Sequence, residues 1–449
     1  MLTFSARDAK PPFALLRERE FGRLDENDVA YLDYAGSGLY GESQVNAHRA
    51  LLCRCVFGNP HSAHRASADS TAAMDAARRR VLRFLDATDD YVVCFTANTT
   101  AAIHLVAEAY PFEPGVPFVL TADNHNSVNG VREFARRAGA PVAYLPLRPD
   151  LRLDHPEARL ADHGGHLFAF PAQSNFSGVH HPLSLVRTAQ SLGYHVLLDA
   201  AAYVPSYPLS LRACPADFVV LSFYKVFGYP TGIGALVVRK DALSALARPW
   251  FSGGTVDYVS VALDRSQRRR EHGGFEDGTP DFLGIAALES GFDLRDEVGA
   301  GPLLRHVQQM TSTLLDGLLS LRHAGGEPAV RLYGPPDMDA RGGIVAFNVL
   351  DRDGRTVPFG LVEDRASNAG VHVRGGCFCN PGAAEAAFGF DASRLASCLD
   401  ALGSEYSASA LQHCIGGGTA VGAVRASVGI ATQPRDIHRA LQIVESFVT

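Results

Sequence analysis

Lysine is almost missing from this chain: of 449 residues only Lys10, Lys225 and Lys240 are lysines, although arginine is plentiful. Chemistry that needs a side-chain primary amine therefore has three candidates. A strong charge bias is missing too. The net charge is −7, and the basic residues are scattered apart from Arg268, Arg269 and Arg270, so no basic patch points to nucleic acid. No apolar run approaches the roughly 18 residues a membrane-spanning helix needs. The N-terminus, MLTFSARDAK, lacks the basic and apolar stretches of a secretory leader. A cytoplasmic protein with no membrane or nucleic-acid partner is expected. Cysteine is also sparse: eight residues are too few for a disulfide scaffold in a chain this long, and a cytosolic location keeps thiols reduced. Most of the eight are expected to be small buried hydrophobes.

What is present describes an ordinary globular protein, 47% hydrophobic and 20% charged. Single cores rarely grow past about 250–300 residues, so two lobes are expected. From residue 75 to 240, helical stretches alternate with short apolar segments: YVVCF (91–95), PFVLT (117–121), HLFAF (166–170), YHVLLD (194–199), DFVVLS (217–222) and GALVV (234–238). Such runs, bounded by polar, Gly or Pro loops, predict a mostly parallel sheet in an α/β domain. After residue 285 come a long helical stretch, the apolar segment IVAFNVL, the glycine-rich RGGCFCNPG, the strand-like AVRASVGI and a terminal helix. This texture predicts a smaller α+β lobe. The expected division is an N-terminal segment (1–30) packing on the small domain, a large cofactor-binding domain (31–290) and a small C-terminal domain (291–449) carrying the cysteines of RGGCFCNPG.

Ligands of parallel sheets sit beyond the carboxyl ends of the strands. Thr96 to Thr100, Gln173 to Ser177, Asp199 and Lys225 all fall there. A lysine at a strand end, followed by a glycine-rich turn, is only partly solvated, which lowers its pKa and favours a Schiff base with an aldehyde cofactor. The ordinary alternative is a snorkelling surface lysine. Asp199 can pair with a protonated pyridine nitrogen or cap a helix. Thr99 and Thr100 open a helix whose free N–H groups suit a phosphate, although threonines also start helices without ligands. His125, in DNHNSV, can lie over a pyridine ring or be loop surface. Asn175 can reach a ring hydroxyl or cap a turn. Joint placement at successive strand ends argues for one site.

RGGCFCNPG carries two thiols, Cys377 and Cys379, between glycines and Asn-Pro-Gly, which reads as a mobile loop. Arg374 nearby favours thiolate, the nucleophilic form. A zinc site needs a second cysteine pair at finger-like spacing, which Cys398 and Cys414 do not supply, so no metal is expected.

The strings PAQSNFSGVHHPLS, LLDAAAYV, ADFVVLSFYKVFGYPTGIGALVV, FEDGTPDF, VRGGCFCNPGA and AVRASVG fall between residues 171 and 429, within a likeness that extends over about residues 31 to 430. Through them the chain resembles the class V aminotransferase-like family of fold-type I pyridoxal-phosphate enzymes, and within it the cysteine desulfurase domain of molybdenum-cofactor sulfurases. The resemblance implies a large domain with a mostly parallel seven-stranded sheet between helices, pyridoxal 5'-phosphate as cofactor, and a homodimer with sites at the subunit interface. It makes Lys225 the Schiff-base lysine, Asp199 the partner of the pyridine nitrogen, His125 the stacking histidine and Asn175 the ring-contacting asparagine. Thr99, Thr100 and Ser222 become phosphate contacts, and Thr279 reaches the partner subunit's phosphate. Tyr224 takes the place, just before the lysine, where many cysteine desulfurases have histidine. Arg425 falls where an arginine grips the substrate carboxylate, Arg374 stands beside it, and Cys379, five residues after Arg374, falls at the persulfide position. The implied reaction converts L-cysteine to L-alanine and passes sulfur to an unknown acceptor protein or cofactor. Rival activities are C–S lyase, selenocysteine lyase, transaminase or epimerase; the non-enzymatic alternative is a sulfur carrier or scaffold. A third cysteine often seen after this motif is Ala384 here, and a C-terminal molybdenum-cofactor-binding domain is not expected within the 449 residues.

Overall fold

Apolar runs of four to six residues closed by turn-forming residues are too short for core helices, and in the computed structural model they become strands. The structure describes residues 13–416 and 420–448. Seven strands form one sheet: β1 (Tyr91–Thr96), β2 (Phe118–Thr121), β3 (Val142–Leu145), β4 (Leu167–Pro171), β5 (His195–Asp199), β6 (Phe218–Ser222) and β7 (Gly234–Arg239). Their order is β1-β7-β6-β5-β4-β2-β3. Every neighbouring pair is parallel except the two that involve β7. Strand β3 is absent from the apolar segments picked out above. Among the described residues it is an edge strand, paired only with β2 and half-buried or exposed except at Leu145, so its sequence lacks the continuous apolar character of the others.

Both faces of the sheet are covered, and the two-residue period of a strand divides its side chains between them. In β6, Val219 and Leu221 join the core beneath α1 (Arg65–Phe84), while Phe218 and Val220 join the core beneath α2 (Thr99–Ala109). A single helical turn, α3 (Phe223–Phe227), grows directly from the end of β6. Helix α4 (Phe282–Val298) runs through the position of the division drawn after residue 290. Its Ile285, Leu288 and Phe292 pack under the large sheet, and its Leu294 and Val298 pack in the core of the small lobe. Phe168 is fully buried in β4, with its ring centroid 5.0 Å from that of Phe170. Phe168→Ala is expected to lower unfolding stability by about 3–5 kcal/mol, read from urea denaturation, because the sheet cannot collapse into the space left behind.

The small lobe has an antiparallel sheet of β8 (Val330–Tyr333), β9 (Ile344–Val349), β10 (Arg374–Gly376) and β11 (Ala423–Ser427), in the order β8-β9-β11-β10. Leu16 and Phe21, from the N-terminal helix Phe13–Phe21, lie in the same core as Val345 and Val424; residues 1–12 of the segment expected to pack there lie outside the described residues. Buried Arg17 ties this helix to the C-terminal one through Asp436, at 2.5 Å, and bonds Asp25 at 2.7 Å.

Two expectations about cysteine fail. Cys398 and Cys414 are joined as a disulfide, their Cα atoms 5.8 Å apart, because the helices Ala392–Leu402 and Ala408–Ile415 pack side by side around Leu411 and Ile415. A low cysteine count says nothing about one such local pair. Nor are most thiols buried: Cys53, Cys377 and Cys379 are exposed and Cys55 is half-buried, whereas Cys94 and Cys214 are buried.

Candidate active site

The carboxyl ends of β1, β4, β5 and β6 converge on a cavity of about 180 Å³. Lys225 is part of its floor. The lysine stands not on the strand but in α3, because the chain turns into a helix immediately after Ser222. That turn ends at Gly228 with φ +75°, and a Cβ there would collide with the backbone of Leu39 and Tyr40, so only glycine fits. The Lys225 ammonium has no hydrogen-bond partner among the described residues. Burial lowers its pKa; Asp199 opposes this, whereas Arg425 adds to it. The neutral, nucleophilic amine is thereby populated at lower pH than in a free lysine. In cofactor-free protein, acylation of Lys225 by an amine reagent is expected to rise with pH through a midpoint below the ~10.4 of an ordinary lysine, followed peptide by peptide with mass spectrometry.

Asp199 ends β5 and faces the same cavity. One of its oxygens accepts the backbone N–H of Ala201 at 2.9 Å, which fixes the carboxylate on the wall. Opposite, α2 opens with Thr99 and Thr100, capped by the Asn98 side chain, which accepts from Ala101 N at 2.9 Å. Ser222 Oγ takes the Thr99 amide at 2.8 Å and meets its hydroxyl at 2.7 Å. The Thr100 amide has no partner among the described residues. One free N–H, three hydroxyls and a helix N-terminus make an anion pocket at this end. His125 caps the short helix Asn126–Asn129, with Nδ1 accepting from Ser127 N at 3.1 Å and the ring lining the cavity. Burial lowers its pKa, Asp199 opposes, and Lys225 adds to the lowering. Tyr224 and Asn175 complete the walls.

Four residues from the reading above stand elsewhere. Arg425 is buried behind Asn175, donating to its carbonyl at 2.9 Å and to Asp33 at 3.1 Å, while its buried Nε has no partner among the described residues. The Arg374 guanidinium is paired with Asp33 at 2.5 Å. Thr279 is exposed and outside the cavity, its hydroxyl accepting from Asn59 Nδ2 at 3.2 Å. Cys379 lies on the surface, outside the residues that line the cavity.

The loop expected to be mobile is anchored. β10 pairs with β11 up to Gly376, Asn175 donates to Phe378 O at 2.7 Å, and Asn126 donates to Cys379 O at 2.8 Å. Asn380 is buried. Its amide reaches Asp123 O at 2.7 Å and Asn175 Oδ1 at 2.9 Å, and it caps α5 (Pro381–Phe388). Sequence reasoning had quoted Asn380 without a role, and it missed Ser127, which bonds both Thr100 and His125. It also missed Asp33, nearly 400 residues from Arg425 and without local signal.

An α/β fold whose strand ends surround an unpaired lysine, an aspartate on one wall and an anion pocket on the other has the donor set of a pyridoxal-phosphate site, and these residues fit that cofactor. The chain belongs to the class-V aminotransferases, a family of pyridoxal-phosphate-dependent enzymes whose model matches residues 30–439. It is 38% identical over 403 residues to molybdenum cofactor sulfurase of Homo sapiens, covering 82% of this chain and 44% of that protein. With molybdenum cofactor sulfurase of Solanum lycopersicum it shares 36% over 468 residues, covering 96% and 56%. The chain thus spans about half the length of the curated relatives it matches. Its fold is that of a cysteine desulfurase from Thermococcus onnurineus, with TM-score 0.79, 24% identity, and 100% and 99% of the two chains covered. A cysteine desulfurase from Escherichia coli matches with TM-score 0.76 at 22% identity, covering 97% and 98%.

Proposed function

We propose that the protein is a pyridoxal-phosphate-dependent cysteine desulfurase that forms a persulfide on Cys379. The observation that carries this reading is an exposed thiol, Cys379, whose carbonyl is held at 2.8 Å by the amide of Asn126, the residue next to His125 on the wall of the cavity that Lys225 floors. Lys225 would hold the cofactor, Asp199 its pyridine nitrogen, and Thr99, Thr100 and Ser222 its phosphate. When bound, the pyridoxal ring supplies an electron sink for the pair left at the substrate Cα.

The chain's own residues do the rest. Lys225, its pKa lowered by burial, takes the Cα proton. Arg425 would hold the substrate carboxylate, a task suited to a guanidinium, by exchanging its bond to Asn175 O or Asp33 for it. His125 and Asn175, on the cavity wall, would hold the ring in place. The Cys379 thiolate attacks the cysteine sulfur, a new S–S bond forms as the C–S bond breaks, and protons return to the carbon skeleton. Enzyme thiol plus cysteine gives enzyme persulfide plus alanine, which balances without an external oxidant. A homodimer, in which Thr279 reaches the phosphate of the other subunit, belongs to the same proposal, as does transfer of the sulfur to an acceptor that can be a thiol, a protein or a molybdenum cofactor. The curated relatives' names suggest the last.

Incubating the holoenzyme with L-cysteine, while following alanine and protein-bound sulfur together, tests the proposal. Equal, coupled amounts of both support it. Pyruvate and ammonia in place of alanine would establish a C–S lyase on the same fold.

A further inference from the structure

Gln173 follows β4 and lines the cavity beside Lys225, yet the reaction described so far gives it nothing to do. It is buried, 3% exposed, and its Oε1 lies 2.7 Å from His180 Nε2. A carbonyl oxygen only accepts, so the His180 proton must be on Nε2. The imidazole is wedged edge-on between Tyr203 and Tyr207, ring centroids 5.0 and 4.3 Å away. Burial, followed by the charges of His181 and Arg341, pushes its pKa down to about 3, so the ring stays neutral and its tautomer fixed.

The backbones of Gln173 and His180 are bridged as well, which keeps the two side chains in step. Gly342 closes the rear: a Cβ there would collide with Gln173 Oε1 and stand 2.7 Å from His180 Nε2. With Oε1 pinned from behind, the Gln173 Nε2 has no hydrogen-bond partner among the described residues and is left for the cavity. That amide offers two donors and no acceptor.

We infer that Gln173 is a binding residue of this site, donating from Nε2 to an anionic oxygen of the bound ligand, and that His180 is the positioning residue that sets its orientation. The inference rests on the pyridoxal-phosphate reading of the cavity. The anionic oxygen has two sources, the phenolate of the cofactor ring and the carboxylate of the amino acid, and they answer to different measurements.

Wild type, Gln173→Glu, Gln173→Met and His180→Phe would be loaded with pyridoxal phosphate. The pH titration of the visible absorbance band is read without substrate, and the L-alanine dissociation constant is read from the spectral change on binding. If the phenolate is the partner, Gln173→Glu raises the titration midpoint by about one pH unit or more, since a carboxylate disfavours a facing anion. Gln173→Met and His180→Phe then raise it less. If the carboxylate is the partner, the band is unchanged and the alanine dissociation constant rises about tenfold in Gln173→Met, the size of one lost hydrogen bond to a charge. Should neither quantity move in either Gln173 variant, the inference is overturned, and a lowered thermal midpoint alone would assign the pair a purely structural role. A wild type that binds cofactor and shows these shifts but makes no alanine from cysteine defeats the desulfurase reading and leaves Gln173 in place. A wild type that takes up no pyridoxal phosphate defeats both.

Discussion

Lys225→Ala is expected to lower alanine formation from cysteine by about 10⁴-fold, the upper end of what removal of a positioned proton carrier costs. The effect should be that large because the substitution deletes two functions at once, the attachment point of the cofactor and the base at Cα. Among the described residues no other lysine can replace it, since Lys240 starts a helix after β7, at the opposite end of that strand from the cavity; Lys10 lies outside the described residues. Borohydride treatment followed by peptide mapping should place a pyridoxyl group on Lys225 in the wild type and on no peptide of the variant. A small amine such as methylamine, added to the variant, should restore part of the rate by filling the space with a neutral base. Lys240→Ala with unchanged turnover completes the comparison. If Lys225→Ala kept its visible absorbance and its rate, the enzymatic reading would fail with it.

The parts of this site that were legible in the sequence share a physical origin. A buried parallel strand writes itself as a continuous apolar run, and the first polar residue after such a run marks a sheet edge. Asp199 and Ser222 close their strands, and Thr99 follows a strand by three residues. The structure brings all of them, with Lys225, His125, Asn175, Thr100 and Tyr224, to one cavity. β3 was illegible for the opposite reason, since an accessible edge strand does not need the apolar run. Contacts that depend on tertiary packing left no local trace. Asp33 meets Arg425 and Arg374 only because the N-terminal segment runs alongside the small sheet, bridging to Ser427. The Cys398–Cys414 bond depends on how two helices lie against each other. RGGCFCNPG misled because glycine and Asn-Pro-Gly signal a turn but not whether it is free; here the carbonyls of Cys377, Phe378 and Cys379 are each taken by a hydrogen bond.

That anchoring bears on which thiol works, and Cys379→Ser is expected to abolish the protein-bound persulfide and slow alanine formation on the order of 10³-fold, less than the roughly 10⁶-fold cost of deleting a protease serine, because a small thiol in the assay can take the sulfur instead. Phe378 and Cys379 are consecutive non-glycine residues in the left-handed region, φ +56° and +55°. Each costs about 1–2 kcal/mol, tolerated only where the surroundings over-determine the turn. They do so here. Phe378 is buried against Phe176 with the Arg425 guanidinium 4.7 Å from its ring, and the three carbonyl bonds hold the backbone on either side. The strained turn leaves the Cys379 side chain on the surface while its carbonyl is tied to Asn126, next to the cavity-lining His125. The Cys377 side chain, although it reaches the surface, is partly desolvated by the residues packed around it, which pushes its pKa up and so depletes its thiolate. Cys377→Ser should therefore keep the persulfide and most of the rate. Mass spectrometry of the intact protein after one turnover, in wild type and both variants, decides it: sulfur retained in Cys379→Ser and lost in Cys377→Ser would move the persulfide to Cys377. Sulfur on neither thiol, with alanine still formed at full rate, would mean that the acceptor takes sulfur directly from the substrate.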